Sequence, residues 1–387
     1  MAARLLSYEV ADLCLGKPSL PSLSISATIG DAVAALKGSE DNFISVWSCN
    51  HSKGNLNSND CVCVGKICMV DIIYYLCKEE NLLSPSLVLQ SPVSVLLSKV
   101  KGLVKHVEPS SSLLEVIDLM LQGAQNLVVP IRSNSIRKQL QKPSSTTHNV
   151  CEFCWLTLED VIRFLLCSIG LFSPIPTLSI DSLGIISTEF LVIGSHSPAA
   201  SAGGAIYRSL LDQTSVAVVD DDGILIGEIS PSTLAACGTA ATAAIATLSA
   251  GELMAYIDCG GDPAQEISRV VEARLKERNL EKILDKFMTT TCEPHIASLD
   301  NDLPSPRTTV MSKSGRYSRS SSYSAQMVRR AEEIVCHPGS SLVAVMVQAI
   351  AHRVNYVWVI EDDCSVVGIV TFFNMLQIFR ENLESII

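Results

Sequence analysis

Histidine and cysteine are the side chains of this sequence best suited to proton transfer, thiol chemistry and metal binding. The seven histidines are scattered, and the sequence contains neither a GxxxxGK(S/T) phosphate-binding loop nor an HExxH zinc motif. The segment Gly194-Ser195-His196 does not form a nucleophile elbow. We therefore predict that the protein is not an enzyme.

The 14 cysteines include two close pairs, Cys61 with Cys63 and Cys151 with Cys154. In a strand, a CxC spacing places both side chains on one face, where they pack as small hydrophobic groups. A structural zinc site needs four ligands at characteristic spacing, so we predict no metal site. A redox role for Cys151 and Cys154 stays open. Most other cysteines lie in apolar segments, which favours a reducing compartment.

Four segments place a hydroxyl or thiol three positions before a polar side chain. This spacing is typical of the first turn of a helix, where the first side chain caps free backbone N–H groups. Pro231 at a first helical position points to the same structure. The four pairs are Cys68 with Asp71, Thr157 with Asp160, Ser230 with Thr233, and Thr371 with Asn374.

The composition is that of a globular protein with a large core. Of the 387 residues, 48% are hydrophobic and 18% are charged. The net charge of −11 excludes a general affinity for nucleic acids or anionic membranes. The first 20 residues contain Glu9 and Asp12 and no long apolar run, so they do not resemble a signal peptide. We predict a cytoplasmic or nuclear protein.

One uncharged stretch, residues 234–250, is rich in alanine and threonine. It is shorter than the ~20 strongly apolar residues that a membrane-spanning helix needs. We therefore predict a buried helix whose small residues allow close packing between modules, and no membrane span.

The elements that would position the capping pairs recur four times. Residues 354–378 predict a strand, an acidic turn, a second strand containing Gly368, and a helix after Thr371. A helical segment precedes each copy, and a short strand-like stretch precedes each helix. The other copies lie at residues 216–234, 127–131 with 153–165, and 44–49 with 61–76.

This repeat resembles the cystathionine-β-synthase (CBS) domain, and residues 354–376 carry the resemblance best. The whole chain is similar to plant CBS domain-containing proteins with four repeats. The resemblance implies an α/β fold of four β-α-β-β-α repeats paired into two Bateman modules, one with two and three with four. A helical and disordered insert interrupts the second module.

We place the domain boundaries as follows. The chain divides into a lead-in (1–20), repeat 1 (21–77), repeat 2 (103–168), repeat 3 (178–236), a helical insert (237–288), a Ser/Arg-rich disordered loop (289–330) and repeat 4 (331–387). Residues 267–284 predict an amphipathic helix within the helical insert. Residues 50–60 and 132–149 are predicted surface loops.

In the family, the cleft between paired repeats binds an adenine ligand such as AMP, ADP, ATP or an adenosyl compound. The family pattern Gly-x-x-Ser/Thr-x-x-Asp gives phosphate donors and an acidic acceptor for ribose hydroxyls. No repeat here keeps all three elements, and no basic residue lies just before a second strand, so we expect weak binding or an uncharged ligand. The candidate ligand-binding residues are Thr371, Asn374, Thr157, Asp160, Asp71 and Ser230.

The resemblance implies a non-catalytic regulatory protein that senses an adenine ligand and acts on a partner protein such as a kinase complex. A ligand-blind interaction scaffold and a thiol-based redox regulator are the alternatives. Four repeats allow a monomer with an internal disc, or a homodimer. Basic residues near Ser318, Ser320 and Ser322 suggest phosphorylation, which would reverse the local charge; a solvated linker is the alternative.

Overall fold

The computed structural model describes residues 7–39, 41–49, 61–131, 152–259, 265–283 and 333–386. Within them lie four sheets of three strands. In each sheet the first strand runs parallel to the second, and the second pairs antiparallel with the third. The strands are β1 (Ser22–Ser24), β2 (Phe43–Cys49), β3 (Cys61–Cys68), β4 (Val104–His106), β5 (Asn126–Ile131), β6 (Glu152–Thr157), β7 (Leu191–Gly194), β8 (Val216–Val219), β9 (Leu225–Ile229), β10 (Val335–Cys336), β11 (Tyr356–Ile360) and β12 (Val366–Thr371).

One helix lies between the first two strands of each sheet, and another follows the third strand. The helices are α1 (Val10–Leu13), α2 (Ile29–Gly38), α3 (Met69–Leu76), α4 (Glu79–Leu82), α5 (Pro85–Val88), α6 (Leu113–Leu121), α7 (Leu158–Cys167), α8 (Gly203–Asp212), α9 (Pro231–Ala236), α10 (Ala241–Thr247), α11 (Ala250–Asp258), α12 (Gln265–Glu277), α13 (Glu281–Ile283), α14 (Leu342–His352) and α15 (Phe372–Ile386). The predicted order of strands and helices within the repeat is confirmed.

The fourth repeat shows why the sequence folds this way. Every residue of β11 is buried, as expected for a short run of β-branched and aromatic residues in a central strand. Thr371 then ends β12 and precedes α15, where Asn374 Oδ1 accepts hydrogen bonds from the Thr371 N–H at 3.0 Å and hydroxyl at 2.7 Å. Strand and helix therefore meet at a capped corner.

The sheets pair in sequence order, as predicted. Between repeats 1 and 2, Trp47 packs against Phe153 with ring centroids 4.7 Å apart, and the Cys63 N–H donates to His106 Nε2 at 3.1 Å. Between repeats 3 and 4, the Leu225 N–H donates to the Cys364 carbonyl at 3.2 Å. The two repeats of each module therefore contact each other directly.

The helices, unlike the sheets, connect repeats that belong to different modules. Helices α6 and α7 of repeat 2 share one core with α14 and α15 of repeat 4, and Arg380 bonds to Asp118 there at 2.6 Å. Helix α3 of repeat 1 shares a second core with α8 and α9 of repeat 3. The four repeats thus form an internal disc within one chain.

Within residues 234–250, α10 covers only Ala241–Thr247, and every residue of that helix is buried. It packs against α3 and α12, so a buried helix of small residues does lie at the module interface. The stretch is not one continuous helix as predicted, because α9 ends at Ala236 and α11 begins at Ala250. None of the helices in the described ranges is long and apolar enough to cross a membrane.

The amphipathic helix was predicted over residues 267–284, but α12 ends at Glu277 and α13 covers Glu281–Ile283. Val271 and Leu275 are fully buried on the module, whereas Val270 is 37% exposed. The helix packs on the module, and Arg274 bonds to Glu252 at 2.7 Å.

In the predicted lead-in, helix α1 covers Val10–Leu13, and residues 1–6 are not described. Other predictions also lie outside the described residues. These are the loops at 50–60 and 132–149, Cys151, and the Ser/Arg-rich loop with Ser318, Ser320 and Ser322.

Candidate functional site

A cavity of about 230 Å³ lies where the four repeats meet. Each repeat contributes a polar side chain from just before its second strand: Asn42, Gln125, Thr214 and Asn355. The Asn355 amide donates to Gln213 Oε1 at 3.1 Å, linking repeats 4 and 3 across the cavity wall. We call this space the central cavity.

A second cavity of about 260 Å³ lies between repeat 1 and the segment that leads into repeat 2. Lys66 and Asp71 line it from repeat 1, and Lys101 lines it from the connecting segment. We call it the repeat 1 cleft. Both cavities share four lining residues, so they adjoin. The shared residues are Phe43, Lys66, Gln125 and Leu210.

Lys66 lies on β3 at the border of the two cavities. Its ammonium group donates to Asn126 Oδ1 of repeat 2 and lies 4.5 Å from the centre of the Phe43 ring. Burial lowers the pKa of Lys66 to about 8, because water no longer stabilises the charged form fully. Lys66 is therefore a half-buried cation facing polar space.

Asp71 is the third residue of α3, and its carboxylate accepts from the Cys68 N–H at 2.8 Å. Burial raises the pKa of Asp71 to about 6, while the bonds from Cys68 and the charge of Lys66 oppose this rise. At neutral pH the carboxylate is ionised and can accept hydrogen bonds from a ligand. The repeat 1 cleft thus has an acceptor and a cation on the same wall.

In repeat 2 the equivalent carboxylate has an internal partner. Asp160 Oδ2 accepts from the Thr157 N–H and hydroxyl, both at 2.7 Å, which is the predicted cap. The same oxygen lies 2.6 Å from Lys17 Nζ of the lead-in segment. Thr157 lines the central cavity, but Asp160 is engaged by the chain itself.

In repeat 3 the motif is self-contained. Ser230 accepts from the Thr233 N–H at 3.2 Å, and the two hydroxyls lie 2.9 Å apart. Ser230 also borders the central cavity. Glu228 lies on the preceding strand, β9. It is buried and accepts hydrogen bonds from the Tyr356 hydroxyl and the Trp358 indole, both at 2.8 Å.

In repeat 4 the motif is a helix cap, and residues 186–187, which precede β7, cover it. Thr371 and Asn374 bond to each other across the first turn of α15. Ser187 exchanges two backbone hydrogen bonds of 2.9 Å with Ile369, beside the motif glycine. A Cβ atom at Gly368 would lie 2.6 Å from both Ile186 and the Ser187 carbonyl, so glycine is required for this close approach.

Sequence reasoning missed three charged residues of these sites: Lys17, Lys66 and Glu228. The search for a cation covered only the residues just before each second strand, whereas Lys66 lies on a third strand, directly after Gly65. Lys66 and Glu228 occupy the same place in their repeats, one residue after the motif glycine. That shared offset is the signal that could have found them.

The described part of the chain contains no group of three or more His, Cys, Asp or Glu side chains placed to hold a metal ion. The polar groups of the two cavities are instead hydroxyls, amides, two lysines, an arginine and carboxylates. These groups suit an organic ligand with hydroxyl and anionic parts.

Comparison with known proteins gives relatives over the full length. No family model matches the chain. The chain is 47% identical over 399 residues to the CBS domain-containing protein CBSX5 of Arabidopsis thaliana, covering all of both chains. It is 20% identical to the SNF1-related protein kinase regulatory subunit gamma-like PV42b of the same plant, covering 99% of this chain and 97% of the relative.

Among solved structures, the chain is similar to protein MJ1225 from Methanocaldococcus jannaschii, described as a putative archaeal homolog of g-AMPK. The TM-score is 0.54 at 14% identity, and the match covers 96% of this chain and all of that one. This likeness supports the fold of the four-repeat disc. The 47% identity to CBSX5 over the full length shows that the chain belongs to the family of CBS domain-containing proteins.

Proposed function

We propose that the protein is a non-catalytic regulatory protein that binds an adenine nucleotide or nucleoside in the repeat 1 cleft. Binding of this ligand would change how the protein acts on a partner protein. The observation that carries the proposal is the placement of Lys66 and Asp71 on one cavity wall. The relative PV42b, which is named as a kinase regulatory subunit, supports a regulatory role.

The two side chains have complementary roles toward such a ligand. The Asp71 carboxylate is an acceptor for ribose hydroxyls. The Lys66 ammonium favours a phosphate. A cation beside the phosphate removes the cost of burying its charge, which was the reason to expect an uncharged ligand. Lys101 also lines the cleft and adds positive charge.

The mechanism follows from the pairing of the repeats. A ligand that touches repeat 1 and the entry to repeat 2 binds one relative orientation of the two sheets more tightly than others, and so shifts the population toward it. A protein kinase complex is the proposed partner, because the relative PV42b is named as a kinase regulatory subunit. The partner surface and a cytoplasmic or nuclear location remain predictions.

Calorimetric titration of the whole chain with AMP, ADP, ATP, adenosine and S-adenosylmethionine tests the proposal. Asp71→Asn is expected to weaken binding of every bound ligand by roughly tenfold, since it removes a charged acceptor. Lys66→Met is expected to weaken phosphate-bearing ligands by roughly tenfold and adenosine much less.

Asp31→Asn is the matched control, because Asp31 is also the third residue of a capped helix but is exposed and lines neither cavity. It should leave binding unchanged. If the folded wild-type protein gives no binding heat at millimolar ligand, the proposal that it senses an adenine ligand is wrong. An interaction scaffold would then be the better function, and the internally bonded motifs of repeats 2, 3 and 4 favour it.

A further inference from the structure

The second module supplies part of the wall of the repeat 1 cleft. Leu210 and Leu211, near the end of α8 in repeat 3, line this cleft together with Lys66 and Asp71 of repeat 1. Leu210 lines the central cavity as well. A ligand that fills the repeat 1 cleft therefore lies against a helix of the other module.

An aromatic stack joins α8 to the helix that carries Asp71. Tyr74 lies on α3, one turn after Asp71, and its ring stacks on Tyr207 of α8. The ring centroids are 4.4 Å apart, and the ring planes are 15° from parallel. Tyr207 lies one turn before Leu210 and Leu211, and residues three and four apart share a helix face. The stack and the cleft wall are therefore on the same side of α8.

The other two repeats hold the last turn of α8. The Gln125 side chain of repeat 2 donates to the Leu211 carbonyl, at the helix end where carbonyl groups lack partners within the helix. Gln213 ends the helix in the left-handed conformation, with a φ of 55°, and accepts from the Asn355 amide of repeat 4 at 3.1 Å. This conformation is unfavourable for residues other than glycine, and the bond to Asn355 helps to hold it. The end of α8 thus contacts all three other repeats.

We propose that a ligand in the repeat 1 cleft fastens the two modules together by binding α3 and α8 at once, with Tyr207 as a positioning residue. The inference rests on the proposed function and adds the second module to its site. The ligand binds tightly when α8 lies against α3, and the stack of Tyr74 on Tyr207 holds the two helices in that position before the ligand arrives. The bound ligand in turn stabilises the position of α8, and with it the contacts to repeats 2 and 4.

Hydrogen exchange of the full chain, with and without each ligand that gives binding heat, tests the proposal. At a ligand concentration of about ten times the Kd, amide exchange is expected to slow by up to about tenfold in peptides that cover α8, as well as in those that cover α3. Tyr207→Leu should weaken binding by roughly twofold to tenfold, the effect of one aromatic stack, and should reduce the protection of α8.

Two variants on the same helix serve as controls. Tyr207→Phe keeps the stack, so it should bind ligand and protect α8 as the wild type does. Arg208 is exposed, bonds to Asp212 within α8 at 3.1 Å and lines neither cavity. Arg208→Ala should therefore leave both ligand affinity and exchange unchanged.

A double variant tests whether the stack itself carries the effect. Tyr74→Leu removes the other ring and should weaken binding about as much as Tyr207→Leu. The two changes together should weaken binding no more than either alone, because each breaks the same contact. Losses that add in the double variant would contradict the role of the stack.

Three further results would overturn the inference while leaving the proposed function in place. Binding heat with protection confined to α3 would show that the ligand does not engage α8. A Tyr207→Leu protein that unfolds more easily but binds with wild-type affinity would give Tyr207 a purely structural role. Equal losses from Tyr207→Phe and Tyr207→Leu would assign the effect to the hydroxyl. Absence of any binding heat would instead overturn the proposed function and this inference with it.

Discussion

The two modules differ most at the residue that follows the motif glycine. In repeat 1 this residue is Lys66, which donates to Asn126 of repeat 2 and borders two cavities. In repeat 3 it is Glu228, which is buried and accepts from Tyr356 and Trp358 of repeat 4. The backbone position and the facing strand are equivalent, but the charge and the surroundings are opposite.

This difference shows that one place in the fold can serve two purposes. In the module of repeats 3 and 4, aromatic donors from the partner repeat surround the charged side chain, so it contributes to cohesion. In the module of repeats 1 and 2, the charged side chain faces polar space that a ligand can enter. Under the proposed function, the first module would bind the ligand and the second would give structural support.

The largest expected effect comes from removing the carboxylate of the second module. Glu228→Ala leaves the Tyr356 hydroxyl and the Trp358 indole buried without this acceptor, and it should lower the free energy of unfolding by about 3 kcal/mol. Urea unfolding, followed by tryptophan fluorescence, measures the change.

The matched variant at the equivalent place is Lys66→Met. Because it removes a half-buried charge and keeps the apolar stem, it should change the free energy of unfolding by less than about 1 kcal/mol. Equal losses for Glu228→Ala and Lys66→Met would contradict the division of roles between the modules.

A smaller effect is expected from pH, through the lowered pKa of Lys66. Its ammonium loses a proton near pH 8, so affinity for phosphate-bearing ligands should fall by up to about tenfold between pH 7 and 9. The effect on stability has the opposite sign. Between about 8 and the ordinary value of 10.5, the unfolded chain binds this proton more tightly, so deprotonation of Lys66 makes stability rise with pH.

Titration calorimetry at pH 7, 8 and 9 separates Lys66 from other groups. Lys66→Met should remove most of the pH dependence, and adenosine should bind independently of pH in both proteins. An unchanged pH dependence in Lys66→Met would assign the titration to a different residue.

An effect confined to stability is expected from the loss of a helix cap in the second module. Thr371→Ala removes the hydroxyl that accepts from the Asn374 N–H at 3.2 Å, and it should cost about 1 kcal/mol of stability. Nucleotide binding, measured by the same titration, should be unaffected. If Thr371→Ala lost binding while its fold stayed intact, the ligand site would have to be assigned to repeat 4.

The repeats could be predicted because their signals are local, whereas their pairing was implied by the family resemblance. The run at Tyr356–Ile360 and the cap at Thr371 each lie within a few residues, and the structure follows them. The charged contacts could not be predicted in this way. Lys17 and Asp160 are 143 positions apart, and Arg380 and Asp118 are 262 apart, so no periodicity connects them.

The candidate site shows the same limit in another form. Spacing to Cys68 predicted that Asp71 belongs to a helix cap, and the family pattern made it a candidate ligand residue. Lys66 was not predicted, because a lysine in a strand normally points to water, and its burial depends on Phe43 and on Asn126 from another repeat. A local pattern thus pointed to the carboxylate, whereas only the assembled repeats revealed the cation.

The position of residues 8–20 along repeat 2 has a consequence for biosynthesis. Val10 and Cys14 leave the ribosome well before their partners on α6, β6 and α7, which end at residue 167. At about 5–20 residues per second, these apolar side chains wait roughly 8–30 seconds for the surface that buries them. They stay exposed while repeats 1 and 2 are synthesised, and a nascent-chain chaperone has that interval in which to bind them.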